Sequence, residues 1–225
     1  MASIVLGGDP LFNLESSLRS FLDMEESFFV AVEEIRNYPV YQEESIYISG
    51  ALDRRRREYS TGRWLVRKGL EHLGVDPTPI HKGILHQPLW PEGIIGSLTH
   101  EKGLCAAALI LRQRSHYKSL GIDIAFIDRS FGPACQYAEQ FLASDEEIKS
   151  IPSIESIQDP YLALFCLKES GVKAISESVG DFIDIRAIQF DVSSSHCIKY
   201  QGHLFRMRYM IEQHDAYLLS SIIIL

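Results

Sequence analysis

Phe165-Cys166-Leu167-Lys168-Glu169-Ser170-Gly171-Val172-Lys173 is the stretch from which the rest of this 225-residue chain can be placed. It follows Asp159-Pro160, a natural helix start, because proline suits the first turn and an aspartate side chain satisfies free backbone N–H groups. Apolar residues at Tyr161, Leu162, Leu164, Phe165, Leu167, Val172 and Ile175 continue with a mostly helical rhythm. Glu169 and Lys173 are four apart and share one face of that helix. Alone they make a surface ion pair worth roughly 0.3–0.5 kcal/mol. A second acidic motif gives them more weight: Leu120-Gly121-Ile122-Asp123 closes a short apolar run. A carboxylate at a strand end facing a helical carboxylate is a common way to hold a hard cation such as Mg2+.

Composition sets the frame around this pair. At 46% hydrophobic residues the chain can bury a sizeable core, as one large domain or two small ones. A net charge of −8 argues against a general nucleic-acid binder, although it leaves room for a local basic pocket. Cys105, Cys135, Cys166 and Cys197 are widely spaced with no C-x-x-C pair, so buried thiols in a reducing compartment are expected rather than disulfides or zinc. Met1–Leu6 lacks a basic signal-peptide start. Tyr217–Leu225 is strongly apolar but about half the length of a membrane span, and reads as a buried final strand. A cytoplasmic protein with no membrane partner is expected.

The elements follow in order. Leu11–Met24 suggests a short helix or irregular lead-in, Ser27–Ile35 a strand, and Pro39–Ile48 an acidic connector. Leu52–Leu73 predicts a long helix stopped by Gly74. Ile80–Pro91, with Pro79, Pro88 and Pro91, should be a rigid surface loop, and its histidines match no zinc spacing. Gly96–His100 and Leu104–Leu111 predict a hairpin with Thr99 and His100 at its turn, the second strand buried on both sides. Leu120–Ala125 is a further strand, whose alternation puts Asp123 and Ala125 on one face. Pro133–Leu142 predicts a helix, and Ser144-Asp145-Glu146-Glu147 the capping box of another. Arg186–Val192, His203–Gln213 and Ala216–Ile224 read as strands, the last two paired through His214-Asp215.

The long helix carries Arg54, Arg55, Arg56 and Arg57, then Arg63, Arg67 and Lys68. Helical arginines usually form a solvated face. A dense basic cluster in an acidic protein also suits an anionic ligand, because the guanidinium fork matches phosphate oxygens. Thr99 and His100 are placed to donate to a phosphate, or simply to stabilise the turn.

Five motifs in one order carry a specific resemblance. They are Arg54-Arg55-x-x-Glu58-x-x-x-Gly62-Arg63, Pro88-Leu89-Trp90-Pro91-x-Gly93, Gly96-Ser97-Leu98-Thr99-His100, Gly121-Ile122-Asp123 and Lys168-Glu169-Ser170-x-x-Lys173. Over roughly residues 50–220 the chain resembles a 4′-phosphopantetheinyl transferase of the enterobactin and siderophore type. The resemblance implies an α+β fold of two similar α/β subdomains packed as a pseudo-dimer, with the active site in the cleft. The halves would be 1–118, binding coenzyme A phosphates, and 119–225, binding metal and catalysing. It implies coenzyme A as donor, an acyl- or peptidyl-carrier protein as acceptor, and Mg2+, or Mn2+ in its place. The metal ligands fall on Asp123 and Glu169. Glu169 is also the base for the carrier serine, and Lys173 contacts the pyrophosphate and protonates the leaving group. Arg54, Arg55, Arg63, His86, Thr99, His100, Lys168 and Lys173 fall on the coenzyme A side. The internal pseudo-dimer implies a monomer.

Two positions depart from the family pattern. Gly-Ile-Asp-x-Glu is usual, and here the last position is Ala125, so one metal-directed carboxylate is missing. Mg2+ retains waters readily, and a water can fill that place with weaker affinity. A basic residue often found ahead of the proline–tryptophan element aligns with His86, mostly uncharged at neutral pH. Ala125 also keeps open a non-catalytic homologue that binds coenzyme A or a carrier protein. The presence of Asp123, Glu169 and Lys173 opposes that reading, since a binding module needs no base.

Overall fold

The computed structural model describes residues 10–22, 27–127 and 145–225. The chain begins with α1 (Pro10–Leu22) and β1 (Phe28–Glu34), then a one-turn α2 (Gln42–Ser45) and the long α3 (Asp53–His72). The hairpin β2 (Ile94–Glu101) and β3 (Leu104–Leu111) follows. The second half holds β4 (Ser119–Phe126), short helices α4 (Asp145–Ser150) and α5 (Pro152–Glu155), and the long α6 (Pro160–Val179). Four strands complete it: β5 (Gln189–Asp191), β6 (Cys197–Tyr200), β7 (His203–His214) and β8 (Tyr217–Ile224). The predicted helix over Pro133–Leu142, Cys135 and Ser144 of the capping box lie outside the described residues.

One wiring pattern occurs twice. In the first half a strand, a long helix and a hairpin give the antiparallel order β1-β3-β2. In the second half β4, α6 and the hairpin β7–β8 give β4-β8-β7, which β6 and β5 extend. Each central strand is the last of its trio: β3 is buried along nearly all its length and β8 likewise. This is the α+β pseudo-dimer that the motifs imply.

Local chemistry explains the two long helices. The Asp159 side chain accepts from Leu162 N at 3.1 Å, Pro160 occupies the first turn, and Gly180 ends α6 at φ 68°. At the end of α3, Gly74 adopts φ 73° and Val75 N returns to Leu70 O at 2.9 Å. Gly121 has a different purpose. A β-carbon built there would lie 1.9 Å from Ser170 O, so only glycine lets the α6 backbone rest directly on β4.

The halves meet where β2 runs beside β4. Side chains replace a backbone ladder at this seam: Ile122 N donates to Ser97 Oγ at 3.0 Å and Ile124 N to Thr99 Oγ1 at 3.3 Å. Below the seam, Leu14 and Leu18 of α1 are fully buried with Val30, Ile95, Ile122, Leu219 and Ile223 in one apolar cluster. Each such side chain contributes about 1.5–3 kcal/mol, so α1 ties the two sheets together.

Four expectations need correction. Thr99 and His100 lie within β2, and the turn is made by Lys102 (φ 41°) and Gly103 (φ 89°). Asp123 sits in the body of β4 rather than at its end. The acidic connector contains α2, and the strand over Arg186–Val192 shrinks to Gln189–Asp191 behind a 3-10 turn. Cys105, Cys166 and Cys197 are free and buried, as composition implied.

Candidate active site

Asp123, on the face of β4 covered by α6, is only 8% exposed. Its Oδ1 accepts from Thr99 Oγ1 at 2.8 Å and from Lys173 Nζ at 2.7 Å, and Lys173 also reaches Ile122 O at 2.9 Å. One oxygen therefore joins β2, β4 and α6. Lys173 spends its charge on Asp123 and not on Glu169, so the surface ion pair suggested by the four-residue spacing does not form. Glu169 is half-buried on the same side of α6, and its pKa is raised, by burial first and then by the Asp123 charge, with Lys173 opposing.

Two hard carboxylates on facing elements form a donor set that fits a small divalent cation. Mg2+ characteristically takes one or two carboxylates and completes its octahedron with water and substrate phosphate. Among the described residues no three of His, Cys, Asp and Glu gather closely enough to hold an ion alone. The fit is thus to a cation shared with a phosphate ligand, with Asp123 and Glu169 as the protein's share.

Beyond Thr99 the surface is cationic. Arg54 Nε donates to Glu58 Oε1 at 2.8 Å, Arg55 Nη1 lies 2.6 Å from His100 Nε2, and Glu58 Oε2 lies 3.6 Å from the same ring nitrogen. Burial would raise the Glu58 pKa, but Arg54, His100 and Arg55 outweigh it and hold the carboxyl below its ordinary range. Lys82, which the sequence reading missed, stands over the Tyr47 and Tyr59 rings at 5.2 and 5.1 Å. Burial, then the charges of Arg55 and Arg63, lowers its pKa, and it has no acidic partner among the described residues. Glu58 is one acid set against Arg54 and Arg55, with Lys82 close to Arg55, and such an excess of cations marks a place for an anion. The signal in the sequence was a lysine inside the proline-rich loop, which the loop's histidines overshadowed.

Arg63, Lys168 and His86, expected on the coenzyme A side, have other surroundings than the Arg54–His100 group. Arg63 is 4% exposed, stacks on Tyr59 at 4.4 Å and lies 3.6 Å from Glu44, which also pairs with Arg67 at 3.3 Å. Glu44 is fully buried and further accepts from Ile80 N at 3.0 Å. Arg63 therefore braces the connector and the proline-rich loop against α3 from inside. The Lys168 ammonium is 1% exposed and donates to Glu147 at 3.0 Å, joining α6 to α4. His86 is exposed at φ 64° in a tight turn closed by its N–H on Gly83 O at 3.0 Å.

From Lys173 a groove of about 810 Å³ follows the seam, lined by Trp90, Ser97, Ser119, Val172 and Phe182, with His86 at its edge. Gly96 shapes its wall: a β-carbon there would meet the Trp90 ring at 2.8 Å. A more open hollow of about 860 Å³ lies between α1 and β7. Near it Ser17 contacts Glu212 at 2.6 Å and His214 Nε2 at 3.0 Å. Glu212 approaches that same ring nitrogen at 3.2 Å, so the histidine cannot relay a proton from serine to carboxylate through its two nitrogens.

Comparison with known proteins gives concordant matches. Residues 42–110 match the model of the 4′-phosphopantetheinyl transferase N-terminal domain, and residues 119–219 that of the 4′-phosphopantetheinyl transferase superfamily. The chain is 32% identical over 145 residues to 4′-phosphopantetheinyl transferase Npt of Nocardia iowensis, covering 63% of this chain and 60% of that protein. To 4′-phosphopantetheinyl transferase PptT of Mycobacterium tuberculosis it is 42% identical over 81 residues, 36% of this chain and 35% of the other. To enterobactin synthase component D of Salmonella typhimurium it is 35% identical over 126 residues, 56% and 50% of the two chains. The matched stretches thus span between about a third and three-fifths of these relatives.

Proposed function

Because the chain belongs to the 4′-phosphopantetheinyl transferase superfamily, we propose that it moves the phosphopantetheine arm of coenzyme A onto a serine of an acyl- or peptidyl-carrier protein and releases 3′,5′-ADP. One observation carries this reading. Asp123, Glu169 and Lys173 face one another at the seam, between a cationic surface on one side and a long groove on the other. Coenzyme A has matching parts: a phosphorylated adenosine, a pyrophosphate, and a long, weakly polar arm.

In this account Arg54, Arg55, His100 and Lys82 hold the adenosine phosphate, and the pantetheine arm lies along the groove past Trp90 and Phe182. The pyrophosphate rests between Lys173 and the carboxylates, with Thr99 at its edge. A divalent cation, Mg2+ or Mn2+, held by Asp123 and Glu169, supplies neutralisation of the pyrophosphate charge. Glu169 takes the proton from the carrier serine, a poor nucleophile at neutral pH; such a base contributes about 10²–10⁴-fold. The serine oxygen bonds to the β-phosphorus, and the bond from that phosphorus to the oxygen bridging to 3′,5′-ADP breaks. Lys173, already aimed at this site by Asp123 and Ile122 O, compensates the charge that develops on the leaving group. Arg63 and Lys168 support the site from inside α3 and α6, and His86 stands at the edge of the groove on the proline-rich loop.

We assign residues 1–118 to coenzyme A phosphate binding and 119–225 to metal binding and catalysis, working as one monomeric, cytoplasmic unit. Carrier proteins of siderophore, non-ribosomal peptide, polyketide or fatty-acid synthesis are the substrates. Among the described residues no helix is long and apolar enough to cross a membrane. The test is release of 3′,5′-ADP from coenzyme A, followed chromatographically with and without an apo-carrier. Carrier-dependent release supports the transferase. Saturable coenzyme A binding without release on any carrier supports the non-catalytic reading that Ala125 favours.

A further inference from the structure

The face of β4 that presents Asp123 has no second oxygen donor at its next position. Ala125 is 7% exposed and its methyl group belongs to an apolar cluster with Leu164, Leu167 and Leu218. The neighbouring strand supplies what β4 lacks. On β2, residues two apart project to one side, so Glu101 follows Thr99, whose hydroxyl bonds Asp123 at 2.8 Å. Just beyond Glu101, Lys102 O accepts from Tyr217 Oη at 3.2 Å, and Lys102 Nζ stands 5.5 Å from the Phe126 ring. Thr99 thus lies beside Asp123 and Lys102 beside Phe126, which brings Glu101 to the level of Ala125. The Glu101 side chain is half-buried and accepts no hydrogen bond among the described residues. Burial raises its pKa, the Lys102 and Arg54 charges oppose that, and the Asp123 charge adds to it.

We propose that Glu101, reaching across the seam from β2, takes the place of the carboxylate missing at Ala125 and completes the divalent-cation site with Asp123 and Glu169. The proposal rests on the functional reading above for the identity of the site. Because the three carboxylates do not close on one point without the ion, Glu101 acts through a bound water or after a side-chain rotation. The site is then built by both halves, and cation binding fixes β2 against β4. It also places Glu101 between Asp123 and the Arg54–Glu58 pair, so cation and adenosine phosphate are held by adjacent side chains.

The test is titration of the full chain with Mn2+ alone, and again with coenzyme A present, read by the free-ion electron paramagnetic resonance signal. Glu101→Ala is expected to weaken Mn2+ binding about 10–100-fold, and Glu101→Gln, which keeps one oxygen, by less. Placing Ala125→Glu in the Glu101→Ala background is expected to restore affinity. Circular dichroism and the melting temperature show whether each variant is folded; if the double variant fails there, the Gln–Ala comparison decides. Unchanged Mn2+ affinity in folded Glu101→Ala overturns the proposal, as does a wild type that binds no Mn2+ even with coenzyme A. Glu101-dependent Mn2+ binding with no transfer to any carrier would instead overturn the functional reading and leave this one standing.

Discussion

Thr99 and Asp123 are bonded across the seam between the two halves: Thr99 Oγ1 donates to Asp123 Oδ1 at 2.8 Å and accepts from Ile124 N at 3.3 Å. One hydroxyl thus serves the joint and the site together. Thr99→Val keeps the shape and removes both bonds, leaving a buried N–H and a buried carboxylate oxygen each one partner short. A loss of about 1–3 kcal/mol is expected in urea unfolding. Transfer should fall about tenfold or more as Asp123 loses its position, because a 1.4 kcal/mol deficit is already a factor of ten. Thr99→Ser should restore most of both.

Lys82 is a different case, a cation near Arg55 and Arg63 that leans on the Tyr47 and Tyr59 rings and has no acidic partner among the described residues. Lys82→Ala should leave the melting temperature unchanged or slightly higher while raising KM for coenzyme A about tenfold, the loss of one charge-assisted phosphate contact. Dephospho-coenzyme A, lacking the 3′-phosphate, should show a much smaller difference between wild type and variant. An equal effect on both donors would move Lys82 away from the adenosine phosphate.

Glu44 should matter for stability rather than for chemistry. It is fully buried between Arg63 and Arg67, so Glu44→Ala leaves two guanidinium groups without their acid and should cost about 3–5 kcal/mol. Arg63→Ala should likewise lower the unfolding midpoint while leaving KM for coenzyme A near wild type in the folded fraction. A selective rise in KM would return Arg63 to the phosphate site that its motif suggests.

The folded pKa of Glu58 lies below its ordinary 4.5, so its pairing stabilises the protein above the unfolded pKa. That contribution is lost as pH falls through the folded value. The Arg54 partner is 76% exposed and water screens the pair, so Glu58→Gln should cost only about 0.5–1 kcal/mol at pH 7. Wild type and variant should converge below pH 4.5. Parallel stability curves from pH 3 to pH 8 would show that the carboxylate charge contributes nothing.

Local signals made much of the fold legible. Asp159-Pro160 and Gly180 frame α6, Gly74 ends α3, and the apolar run of β3 is a strand covered on both sides. The rest depended on distant partners. β6 has little pattern of its own and forms because β7 offers a ladder from Cys197–Arg206 to Tyr200–His203. α2 exists because Glu44 is drawn inward by two arginines from α3. The site divides the same way. Glu169 and Lys173 were visible as a spaced pair on one helix, but the spacing suggested that they bind each other. In the fold Lys173 turns to Asp123, fifty residues away, which no helical periodicity encodes. Helical arginines read as solvated, yet Arg63 is buried, because the connector that covers it is close only in three dimensions.

The most direct measurement is the intact mass of an apo-carrier protein incubated with this chain, coenzyme A and Mg2+, beside the same reaction with Glu169→Gln. The account predicts that wild type adds the mass of one phosphopantetheine arm to the carrier serine and that Glu169→Gln, folded and still binding coenzyme A, does so at least about a hundredfold more slowly. Undiminished transfer by Glu169→Gln, or none by wild type across acyl- and peptidyl-carriers, would contradict it.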